Sequence, residues 1–114
     1  MSRDDATLID ILKAARLAVN FKGKLSKKAF LRDVKTQSAI LHQLLVVGEA
    51  VKRLSDDFRL QHPQIPWTRI AGMRDKLIHQ YDAVDLDEVW KTIIKDVAPL
   101  ISFLEPLVPQ KKES

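Results

Sequence analysis

Apolar residues recur every three or four positions along nearly the whole of this 114-residue chain, and no stretch alternates strictly between apolar and polar. That rhythm places a stripe of side chains along one face of a helix and leaves little room for a sheet. The chain is therefore predicted to be all-α. Segment one, about residues 5–21, carries Leu8, Ile11, Leu12, Ala15, Ala18 and Val19 at helical spacing. Asp4 or Asp5 is placed to cap it, and Gly23 follows its end.

Segment two runs from Ser26 to about Phe58 and carries two stripes. Phe30, Val34, Leu41, Leu44, Gly48 and Val51 form one; Ile40, Val47 and Leu54 form the other. Two stripes require two neighbours, inside a bundle or across a subunit boundary. Gly48 in mid-helix costs about 1 kcal/mol relative to Ala, which a close helix crossing would offset. Pro63 and Pro66 then stop the chain. Segment three, about 67–80, holds Trp67, Ile70, Met73, Leu77 and Ile78, with Gly72 able to divide it. Segment four opens with Asp85 three residues before Glu88, the capping-box spacing. Leu86, Val89, Trp90, Ile93, Val97, Leu100, Ile101 and Leu104 follow, with Pro99 predicted to kink the helix and Pro106 and Pro109 to end it. Together these segments predict one domain over residues 1–114, an antiparallel four-helix bundle with a short third helix, and a disordered tail at 110–114.

Composition removes several chemistries. With no cysteine, disulfides, thiolate metal sites and cysteine nucleophiles are excluded, which fits a reducing cytoplasm. The longest apolar run, Leu44 to Val47, is far short of the roughly 20 residues that span a membrane. Three scattered histidines form no zinc spacing, His42 and His62 read as structural or exposed, and no phosphate-binding or dinucleotide loop is present. No cofactor or metal is expected. The net charge of +4 biases the chain mildly toward polyanions. Lys22, Lys24, Lys27, Lys28, Arg32 and Lys35 cluster, either as a solvated face or as an anion-facing patch.

The densest polar cluster is Arg74-Asp75-Lys76-Leu77-Ile78-His79-Gln80-Tyr81-Asp82. His79 brings the one side chain whose unperturbed pKa lies near neutrality, so it can take a proton from an RNA 2′-hydroxyl. Arg74 brings a fork of donors for the charge that grows on a phosphate. Asp75, four residues before His79, would share its face on a helix and fix the imidazole tautomer. Arg74 and His79 themselves would point about 140° apart on a straight helix. Convergence would need a curled arginine, a helix that loosens near His79, or a second subunit. The bland alternative is a surface ion pair.

The wider string resembles a known family. Ile65-Pro66-Trp67, Ile70, Met73-Arg74-Asp75, His79-Gln80-Tyr81, Val84-Asp85-Leu86 and Val89-Trp90, with Gly48-Glu49-Ala50 upstream, resemble the HepT family of the HEPN superfamily over about residues 5–108. That resemblance implies an all-α, HEPN-like homodimer and a metal-independent endoribonuclease that leaves a 2′,3′-cyclic phosphate. It implies Arg74 and His79 as the catalytic pair with Asp75 in support. Lys27, Lys28, Arg32 and Lys76 are the basic residues placed to contribute to RNA binding. It further implies the toxin half of a toxin–antitoxin pair, silenced by a minimal nucleotidyltransferase that adds AMP to Tyr81, the chain's only tyrosine. Asp75 stands where the family often has Asn. Gln80 stands where Gly is frequent, which implies a more regular helix here. The competing reading is a non-enzymatic helical dimer that binds a nucleotide or a protein partner.

Overall fold

The computed structural model describes residues 2–79 and 83–109. The fold is all-α with one minimal hairpin. Helix α1 spans Arg3–Lys22. Its cap is Ser2 rather than Asp4 or Asp5: the Ser2 hydroxyl accepts from the Asp5 N–H at 3.0 Å, and the Asp5 carboxylate accepts from the Ser2 N–H in return. Asp4 is occupied elsewhere, accepting from the backbone N–H and the hydroxyl of Ser55 at 2.9 and 2.6 Å. Those two bonds hold its carboxyl below the usual carboxylate range. At the other end Gly23 adopts φ +51°, a conformation that side chains rarely enter, and stops the helix.

Segment two is not one helix but three: α2 (Lys27–Phe30), α3 (Val34–Lys52) and α4 (Asp56–Gln61). Each begins at a short polar side chain that accepts a hydrogen bond from the N–H three residues on. Ser26 accepts from Ala29, Asp33 from Thr36 and Ser55 from Phe58. Asp33 also accepts from the Thr36 hydroxyl at 2.7 Å, and its carboxyl is likewise held below the ordinary value. The break leaves Val34 outside the core, against expectation.

Helices α1 and α3 pack along their lengths, and the pair Asp10–Arg53 shows that they run antiparallel. The second stripe of segment two, Ile40, Val47 and Leu54, is buried within this same chain. It therefore faces an internal neighbour and not a second subunit. Gly48 lies where α3 crosses the next elements, α5 (Trp67–Ala71) and α6 (Met73–Leu77), which meet at Gly72. A Cβ at position 48 would come within 3.2 Å of the Ile70 carbonyl oxygen and 3.4 Å of the Met73 Cβ. The close crossing expected from this glycine is present.

Helix α6 ends at Leu77, and the chain turns extended. Ile78–His79 (β1) pairs antiparallel with Ala83–Val84 (β2), in the register Ile78↔Val84 and His79↔Ala83. This replaces the regular helix predicted through residue 80. Asp85 then caps α7 (Leu86–Thr92) by accepting from the Glu88 N–H at 3.1 Å. The last rod continues through a π-helical turn, Ile93–Val97, into α8 (Ala98–Leu104) and a 3-10 turn, Glu105–Leu107. Pro99 sits in the first turn of α8, directly after the widened turn. Where the missing N–H predicted a kink, the structure has a widened, π-helical turn just before the proline. The rod buries Val89, Ile93, Val97, Leu100 and Leu104 and closes the core against α1. No described helix is long and apolar enough to cross a membrane.

Candidate active site

Helix α6 presents two different faces. Met73 and Leu77 are buried against α3, while Arg74 and Asp75 are exposed. The burial of the first pair fixes the backbone from which the second pair projects. Between them Lys76 reaches the last rod, where Asp96 on the π-helical turn is buried and accepts from two cations. Arg69 donates to one of its oxygens at 2.7 Å and Lys76 to the other at 3.3 Å. Lys76 also lies 3.7 Å from Glu88. Lys76, expected to help bind RNA, is thus engaged by two carboxylates and joins α6 to α7 and the π-helical turn.

The end of α6 at Leu77 decides where His79 goes. Two extended residues carry it away from the helical face that would have placed it over Asp75. Its actual acidic neighbour is Asp85, with His79 Nε2 3.4 Å from Asp85 Oδ2. Asp75 lies instead beside Arg74, 3.8 Å from Nη1. Of the three routes to convergence, the helix loosens before His79. Arg74 and His79 are separated by three helical steps and two extended ones, at most about 12 Å between Cα atoms. Both side chains are more than half exposed, at 58% each. Tyr81, and the Gln80 and Asp82 that flank it, lie outside the described residues.

The basic cluster is partly used up by the fold. Lys27 pairs with Asp87 at 2.9 Å, and Lys22 lies 5.0 Å above the Trp90 ring, which itself packs on buried Phe30. Lys24, Lys28, Arg32 and Lys35 are exposed and form no ion pair among the described residues. His62 is held between Phe58 and Phe103, with ring centroids at 4.6 and 5.7 Å, and its carbonyl accepts from the Trp67 indole. His42 is exposed on α3. No three acidic or histidine side chains gather into a metal-binding group among the described residues.

The residues that sequence reasoning missed are Asp85 as the neighbour of His79 and Asp96 as the buried anchor. The signal for Asp96 was a carboxylate on the apolar face of the last helix, between Ile93 and Val97. Asp85 gave no such signal, because its place beside His79 depends on a two-residue strand pairing.

The family model described as "Ribonuclease HepT-like" matches residues 11–107. The chain belongs to the HepT-like ribonuclease family. Over 100 residues it is 43% identical to a protein of Thermococcus cleftensis named "Probable ribonuclease HepT", covering 88% of this chain and 91% of that protein. It is 39% identical over 103 residues to a Methanocaldococcus jannaschii protein named "Putative RNase", covering 90% and 85%. A Caldanaerobacter subterraneus protein of the same description is 35% identical over 102 residues, covering 90% and 91%. No solved structure matches the chain significantly. The HepT-like match takes in every element from the middle of α1 to the 3-10 turn, and with them Arg74, Asp75, His79 and Asp85.

Proposed function

We propose that this HepT-like chain is a metal-independent endoribonuclease of the HEPN type, with Arg74 and His79 as its catalytic pair. The observation that carries the reading is the helix-to-strand junction at Leu77, which presents both side chains to solvent on one short, internally anchored segment. His79 takes the proton from a ribose 2′-hydroxyl. The O2′–P bond forms as the P–O5′ bond breaks, a 2′,3′-cyclic phosphate remains, and the departing O5′ takes a proton from water. Arg74 neutralises the charge that builds on the non-bridging oxygens. Asp75 competes with phosphate for Arg74 in the resting protein and holds the guanidinium on the open face. Lys28 and Arg32, exposed and without ion-pair partners among the described residues, attract the RNA backbone, with Lys27 available once it leaves Asp87.

In this reading the chain is a cytoplasmic toxin that works as a homodimer, and a nucleotidyltransferase antitoxin silences it by adding AMP to Tyr81. Tyr81 is the only tyrosine and stands two residues beyond His79, so a phosphate attached there would offer Arg74 a local partner in place of RNA. The dimer surface has to be other than the Ile40, Val47 and Leu54 stripe, which is already covered.

The experiment is incubation of purified protein with tRNA and mRNA, followed by mapping of the new ends. Cyclic phosphate ends that vanish in His79→Ala are expected. Cleavage by His79→Ala at the parent rate would remove the catalytic assignment. Intact mass after incubation with ATP and the transferase tests Tyr81: one or more AMP additions are expected, and none in Tyr81→Phe.

A further inference from the structure

Two hydrogen bonds hold Asp85, and its remaining carboxylate oxygen lies 3.4 Å from His79. Its backbone N–H donates to the Leu77 carbonyl at 2.9 Å, which fixes it to the end of α6. One carboxylate oxygen, Oδ1, accepts from the Glu88 N–H and caps α7. The other, Oδ2, faces Nε2 of His79. The cap determines which oxygen is left over, and the backbone bond determines where it points. A fixed carboxylate beside one nitrogen of a neutral imidazole favours the proton on that nitrogen.

We propose that Asp85 is a positioning residue that keeps the His79 proton on Nε2, so that Nδ1 is the nitrogen that receives the 2′-hydroxyl proton. This rests on the ribonuclease reading for its consequence, but the hold on the tautomer does not. Asp85 acts through His79 and leaves the bond changes as given above: one proton moves from O2′ to Nδ1.

The capping role supplies an unusual test. Asn caps helices as well as Asp does. In Asp85→Asn the amide oxygen keeps the Glu88 N–H, and the NH2 group takes the place of Oδ2. That group donates, so it meets Nε2 as an acceptor and moves the imidazole proton to Nδ1. Asp85→Ser keeps the cap and leaves His79 with no carboxylate and no amide.

The measurement is the two-bond proton–nitrogen correlation spectrum of 15N-labelled full-length protein near pH 8, above the ordinary imidazole value of about 6.5. The His79 peaks are assigned against His42 and His62 by their loss in His79→Ala. The expected result is Nε2–H in the parent, Nδ1–H in Asp85→Asn and a mixture in Asp85→Ser, with circular dichroism unchanged. In RNA cleavage, kcat falls about 10²-fold in Asp85→Asn with KM unchanged, the pattern of a misplaced proton rather than a lost contact. Nδ1–H in the parent, or the same tautomer in parent and Asp85→Asn, overturns the proposal. So does parental cleavage by Asp85→Asn when His79→Ala is inactive. If the parent cleaves no RNA but the tautomer inverts as expected, the hold of Asp85 on His79 stands and the ribonuclease reading falls.

Discussion

Helices α1 and α3 are long, continuous and packed along their lengths, whereas the stretch from α5 to β2 changes direction at Gly72 and again at Leu77 within a few residues. The first region is held by a periodic apolar face. The second keeps few buried side chains, Trp67, Ile70, Met73 and Leu77, and relies on Gly48 below it and Asp96 beside it. A long regular helix would have set Arg74 and His79 well apart around its axis. Giving up regularity leaves both exposed, and borrowed anchors make up for the lost helix.

Five substitutions sharpen or break that contrast. The largest effects belong to the exposed face itself. Arg74→Ala and His79→Ala should each lower RNA cleavage about 10²- to 10⁴-fold. Neither should shift stability by more than about 0.5 kcal/mol, as thermal melts would show. A large drop in melting temperature would mean that these residues belong to the scaffold. Next is Gly48→Val, which forces side-chain atoms against the Ile70 carbonyl and Met73. It should cost about 2 kcal/mol in urea unfolding and reduce cleavage as well, because α6 is displaced. If activity survives while stability falls, the crossing does not position the site.

Asp96→Ala leaves Arg69 and Lys76 without their shared acceptor. Both cations can regain water, so the expected cost is about 2 kcal/mol rather than that of a fully buried pair. An unchanged urea midpoint would show that apolar packing alone anchors α5 and α6. The smallest effect lies in the regular region. Ser55→Ala removes the α4 cap and should cost about 1 kcal/mol at pH 7. Asp4 and Asp33 both have folded-state values below the ordinary one, so they stabilise the fold above about pH 4. That contribution is lost as the pH falls through their depressed values. Urea midpoints at pH 7 and pH 3 should therefore show the parent losing more stability than Ser55→Ala, which keeps only the backbone N–H bond to Asp4 and loses the hydroxyl bond.

The regular region was the more legible in sequence. The stripes of α1, α3 and the last rod repeat often enough to outweigh local accidents, and Gly48 and Pro99 each signalled a real feature. The breaks in segment two were not read. Ser26 stands at the start of the segment, but Asp33 and Ser55 lie inside an apolar rhythm that continues across them, and one capping side chain weighs little against such a pattern. Within the candidate site, Arg74 and His79 stood out by type and spacing, and Lys76 and Asp75 by adjacency. Their partners did not, because ion pairs across 20 residues and a hairpin of two residues per strand leave no periodic trace.

The bond from Asp85 to the Leu77 carbonyl, with the Ile78–Val84 pairing next to it, ties the end of α6 to the start of α7. This tie fixes the spacing of α6 and α7. Lengthening the connection at positions 80–82 would then be thermodynamically mild, about 0.6 kcal/mol for each doubling, and would leave the bundle unshifted. A change of length there would therefore leave Arg74, His79 and the scaffold beneath them undisturbed.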